Sequence, residues 1–511
     1  MTDAAVVGSG PNGLAAAVVL ARAGLSVTLW EQADAVGGGL RTASLFDQDV
    51  VHDLCSAIHP MAAASPFFRA FDLAARGVSL LQPELPYAHP LPGTGAAAAW
   101  RDLERTAERL GPDGPRWVRL MGPLAERSDG VVELLLSNQR RLPRDLRAGL
   151  LVASRVVQHA RRTSPLRTER GQALLAGLSA HAVGRLPSLA SAAVALLLGQ
   201  AAHSTGWPVP RGGSGAIADA LVADLLSHGG RIHVGHRVRD LAELSGASVV
   251  MLDVSPKELL AISGDRLPSA YRRALRRYRY GPGAAKVDFL VDAPVPWSDP
   301  VLREAGTVHL GGTRADVLRQ ESDAVAGRRT DDPFVLVVDP AVVDVTRESG
   351  GRRPVWAYAH VPNGDDRDPV DLVRRRIEAY APGFTDTVLA ARGRSARAHE
   401  DYNPNYVGGD IASGALTLRQ ALARPVARWN PYRTPIPGVY LCSSATPPGP
   451  SVHGMCGYLA ARTALRREFG VLVTPDLTPG PARRAGATPR VGPTGGAASG
   501  LRATSDRRVT R

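Results

Sequence analysis

Near the amino terminus, Gly8-Ser9-Gly10-Pro11-Asn12-Gly13 spaces three glycines as a phosphate-cradling turn requires. Gly8 allows a tight turn, Gly10 lets backbone approach a pyrophosphate, and Gly13 lets a helix pack closely on a strand. Pro11 and Asn12 open that helix, whose free N–H groups and positive dipole favour phosphates. Glu31 follows 18 residues beyond Gly13. A carboxylate there can accept both ribose hydroxyls of an adenosine, and its charge repels a 2′-phosphate. Next come Gly37, Gly38 and Gly39, then Arg41 and Thr42. The glycine cluster lets a second loop close on the same ligand, and Arg41 can neutralise its pyrophosphate. With 53 glycines in 511 residues, about half a chance match to the three-glycine spacing is expected. Context makes the signal specific: a strand before it, a helix after it, and an acid at the end of the next strand.

The other residues able to do chemistry are histidines and cysteines. His52 and His59 surround Asp53 and Cys55, His203 precedes the Gly206 loop, and His453 lies in the loop 448–454. Each histidine can relay a proton, and each can equally hold a backbone carbonyl. His453, His203 and His52 are the candidate catalytic residues. No fourth ligand accompanies His52, His59 and Cys55, so no metal site is expected. The three cysteines, Cys55, Cys442 and Cys456, contain no CxxC pair. They fit a reducing compartment, and a cytoplasmic location is expected.

The elements that must position these groups read as an α/β protein. Ala4 to Val7 is a short buried strand, Pro11 to Ala23 a helix ended by Gly24, and Leu25 to Glu31 a second strand. Residues 67 to about 204 carry Leu, Ala and Arg at helical spacing and read as a mostly helical insert. The βα style returns after Gly206, with a strand that includes Val238. Residues 284 to about 417 alternate as strands around a charged helix. The strand 438–444 and a helix starting near Val452 follow. Residues 474–511 are rich in Pro, Gly and Arg without apolar periodicity, and read as a disordered basic tail.

The net charge is +13, yet only two of the 61 basic residues are lysines, Lys257 and Lys286. The arginines are spread along the chain, so no nucleic-acid partner is expected. The first residues form a strand without a basic leader, and the apolar run 189–199 is too short to cross a bilayer of about 30 Å. The helix 144–162 carries Leu146, Leu150, Leu151, Val156 and Val157 among arginines. It could lie weakly on an acidic membrane surface, or pack on the core of the insert.

The stretch 6–42, VVGSGPNGLAAAVVLARAGLSVTLWEQADAVGGGLRT, resembles the start of the phytoene desaturase-like FAD-dependent oxidoreductases. That family lies within the wider glutathione reductase and amine oxidase-type fold. The segments 206–215, 280–287 and 438–461 resemble its later motifs, in order, over about residues 3–470. The nearest likeness is to the branch called pyridine nucleotide-disulfide oxidoreductase domain-containing protein 2, whose animal members are assigned to mitochondria.

The resemblance implies a Rossmann-type FAD-binding domain built from 1–66, 205–283 and 418–473. A mixed α+β substrate domain would come from 67–204 and 284–417. It adds Val238, Ser444, Val452 and Met455 to the cofactor-binding residues and runs the His52 to His59 segment past the flavin. The implied activity is hydride transfer from a hydrophobic, polyene or lipid-like small molecule. An amine oxidase-type flavoenzyme and a flavin-binding scaffold with little turnover are the alternatives. Disulfide chemistry needs a cysteine pair that this chain lacks. No second GxGxxG marks a separate NAD(P)H domain. Where the family has Pro-Gly-Gly-Gly-Val, this chain has Pro448-Gly449-Pro450-Ser451-Val452; proline fixes φ and removes a donor at the flavin edge.

Overall fold

The computed structural model describes residues 2–480 except 94, 138–142 and 162. Two sheets organise it. The first has five parallel strands in the order Val439–Leu441, Val249–Leu252, Ala4–Val7, Val27–Trp30, Arg231–His233. Such a sheet is covered by helices on both faces, which is why AAVV and VVML are continuous apolar runs buried at every position. The helix Pro11–Arg22 starts with proline at its first position and ends against Gly24, whose φ is +88°. It crosses the last helix, Met455–Glu468, at very close range. A Cβ on Gly457 would sit 1.8 Å from the Asn12 carbonyl oxygen.

The second sheet has seven strands. Their order is Val388–Arg394, Gly283–Val291, Arg353–Val361, Val335–Val338, Ala305–Leu310, Leu85–Leu91, Gly95–Ala99. Neighbours are antiparallel except the parallel pair formed by Ala305–Leu310 and Leu85–Leu91. Side chains alternate between its faces. Val287, Phe289, Val355, Ala357 and Val337 fill one core. The residues between them carry the chemistry: Lys286 and Asp288 on one strand, opposite Tyr358 and Trp356 on the next.

The sequence expects 67–204 to be mostly helical, and it is, but the span also gives strands that the sequence reading missed. Leu85–Leu91 and Gly95–Ala99 are strands of the second sheet. Ala96 to Ala99 have high helix propensity, but pairing to a buried neighbour strand outweighs it. Elsewhere in that span the helix Leu146–His159 buries Ala148 and Val152 and leaves Leu146, Leu150 and Val157 exposed. The last helix starts at Met455 rather than Val452. Among the described residues no helix is long and apolar enough to cross a membrane.

The expected tail also needs correction at its start. Arg22 donates to the Asp476 and Thr478 carbonyls at 2.9 and 3.0 Å, and Arg76 donates to the Leu477 carbonyl at 3.1 Å. Leu477 is only 3% exposed. Apolar spacing could not reveal this, because one leucine held by two arginines has no period. Residues 481–511 lie outside the described residues. Burying one leucine is worth about 2 kcal/mol. Truncation after Gly480 is therefore expected to leave the melting temperature unchanged, and truncation after Val473 to lower it by roughly 3 °C, measured by calorimetry.

Candidate active site

One cavity of about 420 Å³ extends from the glycine turn to the inner face of the seven-stranded sheet. At its outer end the two loops lock together through Ser9. Ser9 donates from its N–H and its hydroxyl to Glu31 Oε2 at 3.0 and 2.5 Å, and its hydroxyl accepts from the Gly37 N–H at 3.1 Å. Glu31 Oε1 accepts from the Ala33 N–H at 2.9 Å and lies 3.3 Å from the Arg41 guanidinium. A Cβ on Gly38 would sit 2.9 Å from the Gly10 Cα, and one on Gly13 only 2.1 Å from the Gly8 carbonyl oxygen. The turn therefore has room for backbone alone. The Asn12 amide donates to Ser444 Oγ at 3.3 Å, while its buried Oδ1 has no partner. A helix start whose N-cap, Gly10, offers no side chain, and a backbone-only cradle, fit a dinucleotide pyrophosphate.

Of the expected cofactor residues, Gly8, Gly10, Pro11, Asn12, Glu31, Gly38, Gly39, Arg41, Val238, Ser444 and Val452 line this cavity. Gly13, Gly37, Thr42 and Met455 stand behind it. Thr42 donates to Asp53 at 2.8 Å and accepts from the Gly215 N–H at 2.9 Å, tying the loop to the next helix. The altered loop keeps the shape that glycine would favour. Ser451 lines the cavity with φ +113°, a conformation costly for a side chain.

The three catalytic candidates all stand off the cavity. His453 is fully buried: it accepts from the Met455 N–H at 3.0 Å and donates to the Gly449 carbonyl at 3.1 Å. Burial pushes its pKa down to about 4. It therefore holds the loop that leads into the last helix. His203 accepts from the Trp117 indole N–H at 3.0 Å inside the helical layer. His52 is 1% exposed, has no hydrogen-bond partner, and is pushed down to about 3 by burial and then by Lys286 and Arg347. Burial in each case favours the neutral ring. Cys442 and Cys456 are buried, and burial pushes the Cys456 thiol up to about 12.

Two residues in the cavity wall escape the sequence reading. Asp253 ends the strand Val249–Leu252 and accepts from the Gly13 N–H at 2.9 Å. Burial pushes its pKa up to about 7, with the Glu31 charge adding to the effect. A Cβ on Gly10 would meet this carboxyl at 2.7 Å. Lys286 is the second. It is 2% exposed, pairs with Asp288 and lies 5.7 Å from the centre of the Trp356 ring. Burial pulls the ammonium down and pushes the Asp288 carboxyl up. A usable signal was present. A chain this rich in arginine keeps a lysine inside a strand where a guanidinium, which cannot give up its proton, would not serve.

Residues 6–73 match the family described as NAD(P)-binding Rossmann-like domain. The rat protein named pyridine nucleotide-disulfide oxidoreductase domain-containing protein 2 is 26% identical over 556 residues, covering 91% of this chain and 93% of that protein. Among solved structures, an oxidoreductase from Methanosarcina mazei superposes with a TM-score of 0.59 at 15% identity, covering 91% of this chain and all of the other. Putrescine oxidase bound to putrescine gives a TM-score of 0.55 at 17% identity, covering 92% and 98%. The chain thus carries a dinucleotide-binding Rossmann domain, has the fold of these oxidoreductases, and is similar along most of its length to the rat protein.

Proposed function

We propose that this chain is an FAD-dependent oxidoreductase acting on a hydrophobic, lipid-like or polyene small molecule. The observation that carries the reading is the continuity of the cavity. One space is lined by Gly10, Asn12 and Glu31 at one end and by Lys286, Trp356 and Tyr358 at the other. A dinucleotide cofactor anchored at the glycine turn thereby shares a chamber with the substrate. When bound, FAD supplies a ring that accepts hydride.

The chain's own residues do the rest. The backbone at Gly8, Gly10 and Gly38 leaves space for the pyrophosphate, Arg41 neutralises it, and Glu31 receives ribose hydroxyls. Leu197, Leu198, Leu336 and Trp207 line the inner chamber, orient an apolar body and exclude water. Lys286 holds a proton at Nζ on the chamber wall. Its burial beside Asp288 makes that proton easier to release than from an exposed lysine.

Anaerobic titration of the purified protein against a panel of lipids, carotenoids and amines tests the reading. The protein is expected to be yellow and to be bleached by a lipid or carotenoid. A protein that neither carries nor takes up FAD overturns it.

A further inference from the structure

At and behind the inner wall of the chamber lie three histidines that the reaction above does not use: His181, His309 and His89. Tyr87 and His89 come from one strand of the seven-stranded sheet and Thr307 and His309 from its neighbour. The helix Glu169–Ala180 packs over this face and ends at His181. His181 is partly open and lines the cavity; its Nε2 lies 2.9 Å from His309 Nε2, and its Nδ1 has no protein partner among the described residues. His309 is fully buried, and so is His89.

The protons in this chain can be placed from one fixed end. His89 Nε2 lies 2.7 Å from the Gly312 carbonyl oxygen, which can only accept, so His89 carries its proton on Nε2. Its Nδ1 is then bare. Burial holds His89, His181 and His309 in their neutral forms. The Nδ1 atoms of His309 and His89 converge on the space a Cβ of Gly177 would fill, 2.6 and 2.8 Å from it, and neither has another partner. No hydrogen bond joins the two rings, whose centres are 6.3 Å apart, but a proton on His309 Nδ1 would turn a positive end toward the His89 lone pair instead of a second lone pair, so we assign the His309 proton to Nδ1. Its Nε2 must then accept from His181 Nε2–H. This leaves His181 Nδ1 as a bare acceptor facing the chamber.

We infer that the substrate carries a neutral hydroxyl, which donates to His181 Nδ1 while its apolar body lies along Leu197 and Leu198. This rests on the proposed function and names the polar group of its substrate. Thr307 lines the same cavity, and its buried hydroxyl has no partner. A hydroxyl suits either residue, because it donates and accepts at once. An ammonium can only donate, and it would also face the Lys286 charge in the same cavity.

The test is calorimetric titration of the purified protein, with whatever FAD it carries, with n-octanol, octyl methyl ether and octylamine. One hydrogen bond in a buried site is expected to make n-octanol bind about tenfold tighter than the ether. In His181→Phe the ratio should fall to about one, with the affinity for the ether unchanged. Histidine nitrogen NMR of the unmodified protein gives a second measurement. The bare His181 nitrogen signal should move with n-octanol and stay still with the ether. Equal affinities for n-octanol and the ether, a preference that survives in His181→Phe, or octylamine binding as tightly as n-octanol would each overturn the inference. Because heat is measured rather than turnover, a protein without FAD refutes the proposed function and still reports on His181.

Discussion

Gly13→Ala is expected to give a colourless protein that melts well below the unmodified chain. The added Cβ would lie 2.1 Å from the Gly8 carbonyl oxygen and 3.0 Å from Asp253 Oδ2. The first contact is backbone against backbone, so no side-chain rotation relieves it. Either the helix Pro11–Arg22 moves off the sheet or the turn opens. Both outcomes remove the helix start from the phosphate position. The cost should reach roughly 3 kcal/mol or more, the upper range of overpacking. Flavin absorbance and calorimetry check it together. A yellow variant of unchanged melting temperature would show that the turn does not hold the cofactor.

The second large effect is expected at Lys286. Lys286→Met removes the ammonium with little change of shape. It also leaves Asp288 buried without its partner, which confounds the result with lost stability. Lys286→Arg separates the two. It keeps a positive charge beside Asp288 but cannot release a proton at neutral pH. If Lys286 holds a mobile proton, both variants should bleach about a hundredfold more slowly with the compound that bleaches the unmodified protein. Their flavin content should match that protein's. A Lys286→Arg variant that bleaches at the normal rate would reduce the role of Lys286 to fixed charge.

The glycine turn was legible in the sequence because all its parts are local. Gly8, Gly10, Gly13, Glu31 and Gly38 fall within one βαβ stretch of the Rossmann match at 6–73. There the chain order nearly dictates the spatial order. The strand and helix boundaries around them follow from Pro11, Gly24 and short apolar runs, which act over a few residues. Even so, the motif assigns no role to Ser9, which ties Glu31 to the Gly37 loop.

The chamber could not be read in the same way. Its wall combines residues near 181, 286, 307 and 356, which only the strand order of the second sheet and the helix over it bring to one face. His453, His203 and His52 look as reactive in the sequence as His181 does. The difference is which ring nitrogen finds a carbonyl, an N–H or open space, and that is decided by packing. Asp253 likewise follows an ordinary buried strand; burial, and then the Glu31 charge, raise its pKa against the opposing pull of the Gly13 N–H. The sequence by itself determined where a dinucleotide can bind, because backbone geometry at consecutive residues suffices for that. The tertiary structure alone decided what faces the substrate, because a side chain's protonation and reach depend on neighbours hundreds of residues away.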